Sequence, residues 1–168
     1  YTATGCSVDV AHTWMRCVSV PGVGINHTWT VSVGGVTGVA SSGASGMTSY
    51  VPPSVLSFPG LSVLKTEGGE VVSFAGTNLG PLLSVLRVVY RNAVYGVEYL
   101  ASSCSVTGSG HNTAQCNSAA GAGGGLQWRV EVGGQNGSWS TATTTYRLPT
   151  LSSVAGVMPT SGITPMVL

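Results

Sequence analysis

Two ten-residue stretches carry the same pattern: "NHTWTVSVGG" at Asn26–Gly35 and "GLQWRVEVGG" at Gly125–Gly134. In both, a tryptophan and two valines occupy every second position, and two glycines follow. A period of two is typical of a β-strand with one buried face, and the paired glycines predict a hairpin turn. Because the two tryptophans are 99 residues apart, the chain is predicted to contain an internal repeat.

The flanking sequence supports the repeat. Upstream, "YTATGCSVDVAHTWMRC" at Tyr1–Cys17 matches "YLASSCSVTGSGHNTAQC" at Tyr99–Cys116. Downstream, "TSYVPPSVLSFP" at Thr48–Pro59 matches "TTYRLPTLSSVAGVMP" at Thr144–Pro159. Since the offsets stay between 96 and 100, we interpret the chain as a tandem repeat of roughly 97 residues. Short strands separated by turn signals every 8 to 12 residues or so then predict an all-β chain of β-sandwiches.

The four cysteines are predicted to pair by their position in the repeat. Cys6 with Cys17 and Cys104 with Cys116 would each close a loop of about a dozen residues. Such pairs indicate an oxidising compartment. Sequons at Asn26 ("NHT") and Asn136 ("NGS") predict N-glycosylation. Together these features favour an extracellular or cell-surface protein that carries attached glycans.

Charge is scarce along the chain. Charged residues make up 7% of the sequence and the net charge is +1, against roughly 25% charged residues in an average domain. Without a basic patch we expect no nucleic-acid partner. Apolar stretches such as "LLSVLRVVY" at Leu82–Tyr90 are too short to cross a bilayer, so no direct membrane insertion is expected. A glycan coat or burial in an assembly would compensate for the missing surface charge.

The ordered pattern resembles the immunoglobulin-like IPT/TIG domains, of the E-set type, that occur in plexins and many surface proteins. "GGEVVSFAGTNLG" at Gly68–Gly80 is similar to the family's GG-x-x-V-x-I-x-G-x-N-F-G signature, with Leu79 where phenylalanine is usual. A cysteine before a glycine-rich segment, a V-x-V-G-G strand and a closing Y-x-x-P follow in the family's order. The resemblance covers nearly the whole chain and implies tandem immunoglobulin-like β-sandwiches.

The resemblance divides the chain into three parts. Residues 51–147 are interpreted as one complete IPT/TIG-like domain, residues 1–50 as the C-terminal half of another, and residues 148–168 as the first strands of a following one. We expect the chain to be a window onto a longer array. The alternative is that residues 148–168 are donated to the incomplete N-terminal domain of a neighbouring subunit.

No catalytic or cofactor site is predicted. The acidic residues are Asp9, Glu67, Glu70, Glu98 and Glu131, and no two of them have the spacing of a general acid and base. His12 lies in a Cys-x5-His-x4-Cys pattern and His111 in a Cys-x6-His-x4-Cys pattern, and this recurrence could hold a metal ion. Three ligands in each copy and the context of paired cysteines favour disulfides instead, so no metal is expected.

The tryptophans give the remaining candidate residues. Trp29 and Trp128 occupy equivalent positions on predicted half-buried strands, so both are expected in cores. Trp14 and Trp139 have no counterpart in the other copy and lie near predicted turns, which makes them possible interface residues.

The sequence therefore predicts a non-enzymatic structural protein. Tandem sandwiches joined by two or three residues, with a proline in the joint, would form a rigid stalk, surface fibre or filament by assembling with copies of themselves. The alternative is an adhesion or receptor ectodomain that binds a protein or carbohydrate partner.

Overall fold

The computed structural model describes residues 1–155. Over this range the chain is all-β; its one helical turn is a 3-10 turn at Ala44–Gly46. Nowhere in the described part is there a helix long and apolar enough to span a membrane. Most of the predicted third domain, residues 156–168, lies outside the described residues. Leu148 and Leu151, in the described part of that segment, are exposed.

Residues 1–50, the first unit, form short antiparallel pairs. The strands are β1 (Thr4–Val10), β2 (Trp14–Val18), β3 (His27–Thr28), β4 (Ser32–Val33), β5 (Val36–Thr37) and β6 (Met47–Thr48). β1 pairs with β2, β3 with β6 and β4 with β5.

Residues 51–147, the second unit, contain ten strands. They are β7 (Ser54–Ser57), β8 (Val63–Leu64), β9 (Val71–Thr77), β10 (Arg87–Asn92), β11 (Glu98–Leu100), β12 (Ser102–Val106), β13 (Thr113–Asn117), β14 (Leu126–Val132), β15 (Gln135–Asn136) and β16 (Thr143–Tyr146).

Two sheets pack around one core in the second unit. One sheet has the order β11-β10-β14-β16-β8, with β15 paired to β14, and the other has the order β12-β13-β9-β7. All pairings are antiparallel except that of β8 with β16, which is parallel. Both sheets contribute large apolar side chains to the same cluster, which is the arrangement of a β-sandwich. The largest fully buried members are Trp128, Tyr90, Tyr146, Phe74 and Leu64.

Strand β14 shows why its sequence folds as predicted. Its residues alternate strictly between buried and half-buried, with Trp128, Val130 and Val132 facing the core. The Trp128 ring lies between Tyr90 of the neighbouring strand, at 4.2 Å between ring centroids, and Phe74 of the opposite sheet, at 6.3 Å. The β14–β15 hairpin turns at Gly133 and Gly134, both with positive φ, as the paired glycines predicted.

The prediction that Trp29 lies in a core is wrong for the described structure. Its side chain is 41% exposed, whereas Trp128 is fully buried. Val31 and Val33, on the same face, are exposed as well. The physical reason is that the described part of the first unit, residues 1–50, contains no counterpart of β9 and β10, the strands whose Phe74 and Tyr90 pack on Trp128 in the second unit.

Local geometry nevertheless recurs between the units. The indole Nε1 of Trp29 donates to Thr48 Oγ1 at 2.9 Å, and that of Trp128 donates to Thr144 Oγ1 at 2.9 Å. The amides of the two tryptophans also donate to serine hydroxyls at 2.8 and 2.9 Å. These hydrogen bonds fix each indole ring relative to the last strand of its own unit.

Each unit has one disulfide between adjacent strands. Cys6 bonds to Cys17 across β1 and β2, and Cys104 bonds to Cys116 across β12 and β13. The second disulfide is buried in the core cluster, whereas Cys6 and Cys17 are exposed. Both disulfides close a loop, but only the second one also contributes to the packing of the core.

Tyr90 and Tyr146 form a buried polar pair beside Trp128. Their hydroxyl oxygens are 2.7 Å apart, and Tyr146 also donates to the carbonyl of Ala119 at 2.7 Å. Burial raises the pKa of both phenols above 10, and the hydrogen bond to Tyr90 raises the pKa of Tyr146 further. Both therefore stay protonated in the folded protein under conditions in which an unfolded tyrosine ionises.

Loss of the buried disulfide should destabilise the second unit. Replacing Cys104 and Cys116 with alanine is expected to lower its free energy of unfolding by about 3 kcal/mol, because the unfolded loop gains entropy. Hydrogen exchange at the Trp128 and Val130 amides measures this. The matched control replaces Cys6 and Cys17, which should change exchange at those amides by less than about 0.5 kcal/mol. Equal effects of the two replacements on exchange at these amides would contradict the prediction that the Cys104–Cys116 disulfide is the one that stabilises the second unit.

Stability of the second unit should fall in alkaline solution. A folded pKa above the unfolded value of 10 gives stability that is complete below pH 10 and is lost as the pH rises through the folded pKa. Each such tyrosine adds a slope of up to about 1.4 kcal/mol per pH unit. Denaturant titrations between pH 9 and 12 should show a shallower fall for Tyr146→Phe. An unchanged slope in that variant would count against the buried pair; the exposed Tyr95→Phe is the control.

Candidate functional site: the junction between the units

The linker between the two units is packed against the second unit. It comprises residues 49–53, between β6 and β7, and is longer than the two or three residues that the sequence suggested. Pro52 and Pro53 fix φ at two successive positions. Asn78, in the left-handed region with φ 56°, donates from Nδ2 to the Pro52 carbonyl at 3.2 Å. The Pro53 side chain is buried, so the linker has little freedom to bend.

A buried glutamine joins the units through the linker. Gln135 is only 6% exposed, and its Nε2 donates to the carbonyl of Tyr50 at 2.6 Å. At the equivalent place in the first unit stands Val36, which is exposed. A buried amide needs a hydrogen-bond partner, and here the partner comes from the other unit. Rotation of one unit about the linker would break this bond and leave the amide unsatisfied.

Glycines allow the two backbones to meet directly. A β-carbon on Gly133 would lie 2.7 Å from the amide nitrogen of Gly24, and one on Gly80 would lie 2.7 Å from Cγ1 of Val23. Val23 is half-buried and packs against the core cluster of the second unit. At these contacts an added β-carbon would clash with the other unit.

The junction contains a groove of about 340 Å³. Its walls include Pro21 and Val51 on one side and Asn78, His111 and Gln135 on the other. The four ion pairs of the described residues lie elsewhere. They join Asp9 to Arg16, Glu70 to Lys65, Glu131 to Arg87 and Glu98 to Arg91, each within one unit. The contacts across the junction are therefore uncharged, and salt should affect them little.

Other residues singled out from the sequence lie apart from the junction contacts. Asn26 and Asn136 are both exposed, as a glycosylated side chain requires. Trp14 begins β2 and is 66% exposed. Trp139 is half-buried and lies against the guanidinium groups of Arg91 and Arg129, at 4.1 and 4.5 Å from its ring centroid. The ring of Trp139 therefore makes cation–π contacts within its own unit.

The two histidines that stand between the paired cysteines in the sequence occupy equivalent positions. His12 and His111 lie between the paired cysteines with φ of 62° and 59°. The cysteine sulfurs are bonded to each other and so are not thiolate ligands. Among the described residues there is no group of three or more histidine, cysteine or acidic side chains placed to hold a metal ion.

Sequence reasoning did not single out the residues that make the junction. The paired glycines predict a turn at Gly133, but they do not predict its contact with Gly24. The one available signal was Gln135, a polar residue where the other copy has Val36. Such a difference shows that the two positions have different surroundings, but it does not say what surrounds them.

A side chain at Gly133 should loosen the junction. Gly133→Ala places a β-carbon against Gly24, whereas Gly34→Ala, at the equivalent turn with φ 58°, has open space around it. Both substitutions carry the same backbone strain, since Gly133 has φ 55°. We expect Gly133→Ala alone to broaden the distance distribution between spin labels at the exposed residues Val39 and Val94. A distribution that stays narrow in Gly133→Ala would show that this contact does not set the angle.

Comparisons with family models, with curated proteins and with solved structures found no match to this chain.

Proposed function

We propose that this chain is a structural extracellular protein of tandem immunoglobulin-like units, of the IPT/TIG type, that forms a rigid stalk, surface fibre or filament. The observation that carries the proposal is the junction. Two successive units meet through Gln135, Val23 and a pair of glycines rather than through a free linker. A protein that spans a distance or bears force needs fixed joints of this kind, whereas flexible linkers are suited to modules that act independently.

Three features support an extracellular place for this protein. Both units carry a disulfide, which is typical of oxidising compartments. Both sequon asparagines are exposed and could carry glycans. The described surface also has few charges and many exposed apolar side chains, which favours an assembled or glycan-covered protein over a free monomer. The proposed partners are copies of the chain and its attached glycans.

The proposal includes no catalytic role. Four of the five carboxylates make ion pairs with arginine or lysine. Among the described residues, burial raises the pKa of the Tyr90 and Tyr146 phenols. Their role in packing accounts for those shifts without any chemistry.

A second candidate function is that of an adhesion or receptor ectodomain. The observation that favours it is Trp14, two-thirds exposed at the start of β2. Exposed tryptophans often anchor a protein or carbohydrate partner. In that case the binding surface would be the β1–β2 hairpin and not the length of the assembly.

Immunogold microscopy distinguishes the two. An antibody raised against this chain should label linear structures of uniform width at the surface of the source cells if the protein is a fibre subunit. Labelling confined to the cell interior would refute the structural proposal. Punctate labelling at cell contacts, with binding lost in Trp14→Ala, would favour the adhesion candidate.

A further inference from the structure

The first unit has an open aromatic cavity of about 300 Å³. Its walls include Tyr1, Val20, His27, Trp29 and Tyr50. The rings of Tyr1, His27 and Tyr50 contact one another edge to face, with centroids 5.4 to 5.6 Å apart. We call this cavity, defined by these five residues, the aromatic socket.

Three of the socket rings have counterparts in the second unit, where the space is filled: Tyr99, Trp128 and Tyr146. At the place of His27 stands Leu126, which is buried. Tyr99 and Tyr146 meet at 5.6 Å and 68°, as Tyr1 and Tyr50 meet at 5.6 Å and 67°. Into the space beside them projects Tyr90 from β10. Tyr90 stacks on Trp128 at 13° and on Tyr99 at 29°.

The polar end of Tyr90 is fixed by backbone groups. Its hydroxyl accepts a hydrogen bond from the Ala119 amide at 2.8 Å, while Tyr146 donates to the Ala119 carbonyl at 2.7 Å. In the first unit, Tyr50 donates in the same way to the Val20 carbonyl at 2.6 Å. A tyrosine in the socket could therefore accept from the Val20 amide, as Tyr90 does from Ala119.

The strand beside the socket is open along one edge. In the second unit β14 is continuous, because β10 pairs with all of residues 126–131 on one side. The corresponding segment of the first unit forms only β3 and β4, which pair with β6 and β5 on the other side. The described residues supply no strand on the β10 side, and exposed strand edges of this kind accept added strands.

We propose that the open face of the first unit binds a polypeptide segment similar to residues 51–98, the part of the chain that contains β7 to β10. This segment adds a strand antiparallel to residues 27–33, which include Trp29, and places a tyrosine in the aromatic socket. The occupant is a segment of another repeat that resembles β10, in which Val88, Val89 and Tyr90 are buried and Val88 and Tyr90 belong to the core cluster. This is strand addition with side-chain pockets giving specificity. It stands on the geometry of the two units and holds whether or not the protein forms a fibre.

The two units differ in charge at the position that faces Arg87 of β10. In the second unit Arg87 of β10 pairs with Glu131 of β14 at 3.3 Å. Ser32 stands at the position of Glu131 in the first unit. The arginine would gain no ion pair there, so the segment that binds the first unit needs no charge at that position.

The test adds a synthetic peptide of residues 51–98 to the full chain. We expect a one-to-one complex by native mass spectrometry and at least tenfold slower hydrogen exchange at the amides of residues 29–33. The peptide with Tyr90→Ala should bind at least tenfold more weakly, because the socket stays empty, while Arg87→Thr should bind equally well. On the chain, Trp29→Ala should lose binding and Trp14→Ala should not.

A second measurement tests the proposal even if the free peptide self-associates. Joining residues 51–98 directly before Tyr1 makes binding intramolecular, and the emission of Trp29 should then shift to the blue, as for a buried indole. No complex in either format, or equal binding of the Tyr90→Ala peptide, would overturn the proposal. So would a face-to-face dimer of the chain alone that Trp29→Ala dissociates, or a carbohydrate that binds the socket in preference to the peptide.

Discussion

The stacking of Tyr90 on Trp128 is the contact on which the described architecture depends. It joins neighbouring strands of one sheet, and through Phe74 it reaches the other. The hydroxyl of Tyr90 also ties the stack to Tyr146 and to the Ala119 backbone. Aromatic stacks of this geometry add about 0.5–1.5 kcal/mol beyond the burial of their surface. Where the partner ring is missing, as around Trp29, the strands are short and the apolar face is exposed.

The hydrogen bonds around Trp29 and Trp128 are similar, although only Trp128 is buried. Hydrogen bonds of the tryptophan and tyrosine rings are nearly identical in length in the two units, so they do not require burial of the tryptophan. A continuous strand and buried valines occur only in the second unit of the described structure, where β10 pairs with β14 and a second sheet covers it. Local side-chain contacts set the shape of the sheet, and packing against a second sheet supplies most of its stability.

The sequence was most informative where a residue's role depends on its near neighbours. Alternation at Trp128, Val130 and Val132 predicted the face that is buried, and Gly133–Gly134 predicted the hairpin. It was misleading at Trp29, since the same alternation shows only which side could be buried and not whether anything covers it. The contact between Gly24 and Gly133 was beyond prediction, because a meeting of two backbones leaves only glycine as its trace and glycine is also common in turns.

The strand order has a mechanical consequence. A chain pulled at its two ends would load the second unit at Ser54 and at Tyr146. Strands β8 and β16 run parallel, so tension draws them past each other in opposite directions. Their hydrogen bonds would then resist together instead of opening one after another, and the parallel pair acts as a clamp that an antiparallel hairpin at this place could not provide.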